Sequence, residues 1–343
     1  MHESDARVRI AAVGLNFGAH EAKNIKAHPK MELAVVCDLV EEKARALGAE
    51  LGTPFTTSYE AVLADPRVEA VALFTPPHLH ARHLEMAADA GKHVVVTKPL
   101  ELSAAAAAAA IERAEGAGIV VMSNSPPPRY IGSYGIVKRA LDEGRLGSIV
   151  QVSGFTWALY DSMQPDGSWY DDPDACPGGP LYRLGIYSIN FANAFLGEPA
   201  EVYAQQSWIR SKRPTPDHAS LLVKYAGGAH LSVSVSLSVG GGVYPDTAVV
   251  AGTAGTLIIN PTFSSGEGAK DVVLIRGREQ TSAASPVGYG AYDYDGLHAF
   301  LRRGARPEIG IRTALNGVRI IEAARTSLKE KRAVPLQSPT ECG

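Results

Sequence analysis

The sequence predicts a doubly wound parallel α/β unit over residues 7–126, followed by a mostly antiparallel α+β unit over residues 127–338. Three observations carry this. Short, nearly continuous apolar runs alternate with helical stretches as far as Met122, which is how strands covered on both faces by crossover helices read. The texture then breaks at Ser125-Pro126-Pro127-Pro128. Beyond the break, six strand-like runs separated by turn residues lie between helical stretches, an α+β pattern.

In chain order, Arg7–Val13 reads as a buried strand ending at Gly14, and Leu33–Cys37 as a second one stopped by Asp38. Glu41–Leu51 and Ser58–Ala64 read as helices. Ala70–Phe74 is a strand that stops at Thr75-Pro76-Pro77, and His80–Ala90 is a helix ended by Gly91. His93–Val96 is a strand before Lys98-Pro99, Ser103 caps an alanine-rich helix reaching Ala117, and Ile119–Met122 is one more strand. In the second unit a helix over Tyr134–Glu143 leads into a strand over Ser148–Trp157. Residues 160–180, rich in Gly, Pro and Asp, form a long loop of the kind that often carries function. Leu184–Leu196 is helical. Strands follow over Glu201–Ile209, His218–Tyr225, Ala229–Val239, Thr247–Ala251, Gly255–Ile259 and Asp271–Ile275, with a hairpin turn at Ala226-Gly227-Gly228. Helices over Asp293–Arg302 and Arg312–Glu330 follow.

Bulk properties exclude several classes. The 343 residues are 45% apolar and 20% charged, with a net charge of −3 and no Lys/Arg-dense segment, so nothing points to nucleic acid. The three cysteines lie far apart, which excludes a zinc ribbon and a disulfide framework. Residues 1–9 lack the apolar core of a signal peptide, and the run Ala104–Ile111 is too short to span a bilayer, so a cytoplasmic protein without membrane contact is expected.

Gly14-Leu15-Asn16-Phe17-Gly18 follows the first strand and opens a helix, the place where a dinucleotide loop sits. Asn16 takes the place of the usual middle glycine, and Asn tolerates left-handed backbone angles. The alternative is an ordinary tight strand–helix turn. Asp38, 24 residues after Gly14, is placed either to cap a helix or to accept a hydrogen bond from a ribose 2′-hydroxyl. In the second role it repels a 2′-phosphate, and Leu39 supplies no cation, so NAD is favoured over NADP. His78, His80 and His83 straddle a turn and a helix start and do not form a ligand set, so no metal is expected; His80 reads as a cofactor-side or capping residue.

Several longer stretches resemble the Gfo/Idh/MocA oxidoreductases, a family that includes glucose–fructose oxidoreductase and inositol dehydrogenases. Phe74-Thr75-Pro76-Pro77-His78-Leu79-His80 resembles the family's strand-end turn beside the adenosine and nicotinamide ribose. Gly91 to Leu100 resembles the segment that usually ends Glu-Lys-Pro, with Thr97 in place of the glutamate and Lys98 retained. Leu184 to Asn190 resembles the active-site helix, and Pro245 to Leu257 the late strand pair. The resemblance implies a Rossmann domain followed by an open sheet with helices on one face, and assembly as a homodimer or homotetramer. It also implies hydride transfer between a nicotinamide cofactor and a hydroxyl or keto carbon of a sugar, cyclitol or related polyol derivative.

Under that resemblance Gly14, Asn16, Phe17, Gly18, Asp38, Leu39, Thr75, Pro76, Pro77, His80, Thr97, Lys98 and Asn124 are the candidate cofactor-side residues. Lys98 and Tyr187 are the candidate proton-handling pair, the tyrosine standing where most relatives have a histidine. A lysine ammonium near the phenol would favour the phenolate. Arg183 stands where the family has an aspartate, and is read either as a bidentate holder of a carboxylate, sulfonate or phosphate on the substrate or as an ion-pair partner of Asp171, Asp172 or Asp174. Asn190 and Trp169 complete the candidate substrate residues. Two alternatives stay open: a redox-neutral glycosidase that oxidises its sugar transiently, and a non-catalytic NAD-sensing regulator.

Overall fold

The computed structural model describes residues 6–124, 128–157, 171–176, 178–240, 247–259, 272–283, 292–307 and 309–336. The chain forms two compact units, one of residues 1–124 with 291–315, the other of 125–290 with 316–343.

The first unit is built on six parallel strands: β1 (Val8–Val13), β2 (Met31–Cys37), β3 (Phe55–Thr56), β4 (Ala70–Leu73), β5 (His93–Val96) and β6 (Val121–Ser123). Their order is β3-β2-β1-β4-β5-β6, the doubly wound arrangement whose strand order reverses between β1 and β4. Side chains of β1 and β4 are almost wholly buried, consistent with their apolar runs. The crossovers carry α1 (Gly18–Ala27), α2 (Glu41–Leu51), α3 (Tyr59–Ala64), α4 (His80–Asp89) and α5 (Ala104–Gly116). Ser103 caps α5, its hydroxyl accepting from Ala106 N at 3.3 Å.

The structure differs from the expected division in one respect. The sequence reading assigns the helix at Asp293–Arg302 to the C-terminal unit, but the corresponding helix α8 (Tyr294–Arg303) packs into the first. Tyr292, Tyr294 and Leu297 belong to the same apolar cluster as Ile10, Ile25, Met31 and Phe74. Arg302 holds both carboxylate oxygens of Glu69, at 2.8 and 2.9 Å, and Lys30 holds Asp295 at 2.6 Å. A helix with one apolar stripe must cover some sheet, and the stripe alone does not say which.

Against α8 lies a buried acid. Glu21 of α1 is 1% exposed, and burial raises its carboxyl from 4.5 to about 7, opposed only by the amide of Asn24. Its Oε2 and the Tyr294 hydroxyl have no hydrogen-bond partner. The folded state therefore keeps a proton that the unfolded chain releases above pH 4.5, so stability falls as pH rises from 4.5 to 7 and stays lowered above it. Glu21→Gln is expected to raise unfolding free energy at pH 8 by up to about 3 kcal/mol and to change little at pH 4. Denaturant midpoints of the two proteins across that range check this; a gap independent of pH would refute it.

The second unit is a nine-stranded sheet in the order β14-β13-β12-β11-β7-β10-β9-β8-β15. Its strands are β7 (Ile149–Trp157), β8 (Pro199–Ser207), β9 (His218–Tyr225), β10 (His230–Ser236), β11 (Thr247–Gly252), β12 (Thr256–Ile259), β13 (Val272–Arg276), β14 (Glu279–Ala283) and β15 (Val334–Pro335). All pairings are antiparallel except β7 with β10, which are parallel. The expected hairpin joins β9 to β10, with Gly228 at φ +91°.

Helices α6 (Pro128–Asp142), α7 (Ile186–Leu196) and α9 (Arg312–Glu330) complete the unit. α7 lies close on the sheet, because a Cβ on Gly154 of β7 would stand 2.4 Å from Ser188. The opposite face carries Ser153, Phe155 and Trp157 of β7, Ser232 and Ser234 of β10 and Leu222 of β9, all partly or well exposed. None of the helices among the described residues is long and apolar enough to cross a membrane.

Candidate active site

The strand order reverses between β1 and β4, and doubly wound sheets bind ligands beyond the carboxyl ends of the strands at such a reversal. Gly14 follows β1 there. Its φ is +86°, and a Cβ there would stand 2.9 Å from Phe74 C and 3.0 Å from both Phe74 O and Thr75 N. Only glycine fits this backbone approach. Gly18 at the start of α1 is equally constrained, since its Cβ would meet the Phe74 ring at 2.6 Å. The two glycines let the turn between β1 and α1 pack against Phe74 and Thr75, the tight turn that brings a helix N-terminus to a pyrophosphate.

Asp38 follows β2 directly. Its Oδ2 accepts from Leu15 N at 2.7 Å and its Oδ1 from Val40 N at 2.9 Å. The carboxylate thus ties the glycine loop to the end of β2 and sits beside that loop. Lys43 of α2 donates to Asn16 Oδ1 at 2.6 Å. Phe17 and Leu39 stand out into solvent, Leu39 at 88% exposure. These residues fit an adenine nucleotide: the glycine turn for its phosphates, Asp38 for its ribose, and Phe17 with Leu39 as exposed apolar surface.

At the ends of β4 and β5 the expected cofactor residues divide. His80 is 1% exposed and faces inward. Its Nε2 lies 2.7 Å from Thr75 O, and its Nδ1 lies 3.1 Å from the carbonyls of both Pro99 and Leu100. Burial lowers its pKa to about 4 despite these acceptors. The imidazole ties the turn after β4 to the segment after β5. Thr75 Oγ1 is 3.1 Å from His83 Nδ1, and Pro77 opens a short 3₁₀ turn over Pro77–Leu79. Asn124 is buried and accepts from Lys98 N at 2.7 Å, so at least its carbonyl oxygen serves the protein. Lys98 and Thr97 are half-buried at the strand end.

In the second unit a π-helical turn over Leu181–Gly185 runs directly into α7. Such widened turns often occur at functional sites. Arg183 and Tyr187 are half-buried on it, whereas Ile186, Ser188 and Ile189 are buried. Asn190 is 2% exposed and its Oδ1 lies toward α9, where a Cβ on Gly317 would stand 2.0 Å from it. Of the acids named for Arg183, Asp171 pairs with Arg213 at 3.1 Å and Asp174 with Arg325 at 3.4 Å. Trp169 lies outside the described residues.

The sequence reading missed two features. Tyr292 reaches Thr97 from 195 residues away, a contact no local pattern announces. Asp217 is a buried carboxylate. Burial alone would raise its pKa, but the Ser238 hydroxyl and the amides of Ile209, Arg210 and Ser211 hold it at about 2. A Thr-Pro-Asp run between strands hints at such a turn organiser and says nothing of its burial.

Residues 8–125 match the model of the oxidoreductase family with an NAD-binding Rossmann fold, and residues 134–258 match the GFO/IDH/MocA C-terminal domain. The chain is 30% identical over 315 residues to D-xylose 1-dehydrogenase (NADP(+)) 2 of Haloferax volcanii, covering 89% of this chain and 92% of that protein. It is 31% identical over 195 residues to scyllo-inositol 2-dehydrogenase (NAD(+)) of Bacillus subtilis, covering 56% of this chain and 54% of the other. Its fold superposes with a TM-score of 0.81 on aldose-aldose oxidoreductase from Caulobacter crescentus, at 24% identity, over 96% of this chain and all of that one (100%). With the glycine cradle, the acid after β2 and the lysine after β5 in place, the chain belongs to the GFO/IDH/MocA family and is an NAD(P)-dependent oxidoreductase with sugar and cyclitol dehydrogenases among its relatives.

Proposed function

We propose that the protein uses NAD in preference to NADP to interconvert a hydroxyl and a keto carbon on a sugar, cyclitol or related polyol derivative. The observation that carries this is the glycine cradle at Gly14 with the Asp38 carboxylate beside it. An acid at that position receives ribose hydroxyls and repels a 2′-phosphate. Lys43, a cation on the adjoining helix, is turned onto Asn16. Bound nicotinamide supplies the hydride acceptor or donor.

The chain's own residues handle the proton. Lys98 follows β5 at the ligand-binding edge of the sheet, where its ammonium hydrogen-bonds the substrate oxygen and stabilises developing alkoxide charge. Tyr187 is the second proton-handling residue in this reading. Arg183, four residues before it, selects substrates that carry an anionic group. The half-exposed sheet face with Phe155, Trp157 and Leu222 suits a second copy of the chain, giving a homodimer or homotetramer.

The test is calorimetric titration with NAD and NADP, followed by NADH absorbance on a panel of neutral sugars, acidic sugars and inositols. Tighter NAD binding with NADH formation on one sugar class supports the reading. NAD binding with no NADH on any of them overturns it, as does tighter binding of NADP. Asp38→Ser is expected to weaken NAD binding and strengthen NADP binding. Sedimentation at a single monomer mass would remove the oligomer.

A further inference from the structure

We propose that Tyr292 is a positioning residue for Lys98, acting through the hydroxyl of Thr97. The proposal rests on the reading of Lys98 as a proton-handling group. Tyr292 precedes α8, in the stretch that returns to the first unit, and is 4% exposed. Its ring packs edge-on to Phe74, with centroids 5.5 Å apart at 83°, and stacks on Tyr294 at 5.9 Å and 27°. Held between two aromatic side chains, the ring directs its hydroxyl to the end of β5, where it donates to Thr97 Oγ1 at 2.9 Å.

That bond completes a set of restraints on the short segment carrying Lys98. Thr97 N donates to Leu73 O of β4 at 2.9 Å, and Lys98 N donates to Asn124 Oδ1 at 2.7 Å. Pro99 and Leu100 are held through their carbonyls by His80. The Tyr292 bond fixes a side chain within the segment. Threonine is branched at Cβ, so fixing Oγ1 fixes χ1 and the methyl group together. Because Tyr292 is the donor, Thr97 has its own proton free to donate in another direction.

Thr97 stands where the family pattern has a glutamate, and in this chain the Tyr292 hydroxyl holds that residue before the lysine. Reacting groups misplaced by a fraction of an ångström react more slowly while still binding their ligands.

The experiment is a double-mutant cycle of Tyr292→Phe and Thr97→Val, with Thr97→Ser and Lys98→Met alongside. Turnover is read on whichever panel substrate gives the fastest NADH formation. Each of the two single variants is expected to lower kcat about five- to tenfold, the worth of one lost hydrogen bond. KM and NAD affinity should stay within about twofold. The double variant should be no slower than the worse single, and Thr97→Ser, which keeps the accepting hydroxyl, should lose less kcat than Thr97→Val.

A second readout needs no turnover. After reductive ¹³C-methylation, the Lys98 signal is assigned by its absence in Lys98→Met. It is expected to shift in Tyr292→Phe and in Thr97→Val and to shift less in Thr97→Ser, which keeps the accepting hydroxyl. Multiplying kcat losses, or an unmoved Lys98 signal, would overturn the proposal. A Lys98→Met enzyme as active as the parent would instead overturn the reading of Lys98, and the methyl signal would still report whether Tyr292 positions it.

Discussion

Replacing Lys98 by methionine is expected to lower kcat by about a thousandfold while leaving NAD affinity within about threefold. Methionine keeps most of the length and volume of the lysine stem and removes the ammonium, so packing around the half-buried side chain is preserved. The backbone at this position is held through Lys98 N and Asn124, a bond the substitution does not touch. In the proposed reading, what disappears is the cation that hydrogen-bonds the substrate oxygen as its charge grows, an interaction stronger in the transition state than in the bound substrate. The loss therefore falls on kcat and not on nucleotide binding. Stopped-flow NADH absorbance and calorimetry on the two proteins check this. A variant within tenfold of the parent in kcat would assign the proton to another residue.

Gly14→Ala is expected to abolish measurable NAD binding and to destabilise the protein by about 2–5 kcal/mol, the sum of a positive φ on a non-glycine residue and an overpacked contact. The new methyl would press on the backbone of Phe74 and Thr75, which cannot turn aside as a flexible side chain can. Gly91→Ala is the control. Gly91 also has a positive φ, of +65°, but nothing lies within 4 Å of its added Cβ, so only the backbone cost of about 1–2 kcal/mol applies. Denaturant midpoints of the two variants separate the effects. Equal losses would mean that the turn after β1 is looser than its geometry indicates.

Much of the fold could be read from the chain because covering a parallel sheet on both faces leaves a plain mark. Runs such as Ala70–Leu73 and Val94–Val96 are apolar throughout, and each is followed by turn residues and a helix. The places of Gly14 and Asp38 at the ends of β1 and β2 were legible for a related reason: a strand–turn–helix unit is local, and its parts sit at fixed distances along the chain.

What the sequence hid was long-range. α8 shows its stripe but not its sheet. The parallel pairing of β7 with β10 joins strands separated by a whole hairpin and α7, a partnership decided by the finished sheet. His80 and Asn190 are polar residues beside functional motifs, and both prove to be buried. His80 is offered three carbonyls by two converging turns, and Asn190 points into space left by a glycine on a distant helix. A motif states which residue types gather at a site, and only packing decides which of them face the ligand.

The return of residues 291–315 to the first unit also sets an order of assembly in time. A ribosome making this chain releases all six strands of the parallel sheet by residue 124, yet Tyr292, Tyr294 and Leu297, which share the core with Ile10, Ile25 and Phe74, are still about 170 residues from synthesis. At usual elongation speeds that interval is about eight to thirty-four seconds. During it, the nascent sheet presents to solvent the apolar surface that α8 later covers. The nucleotide-binding half begins first and is among the last to be complete, so a ribosome stalled midway would leave a partly built nucleotide site with its core still open.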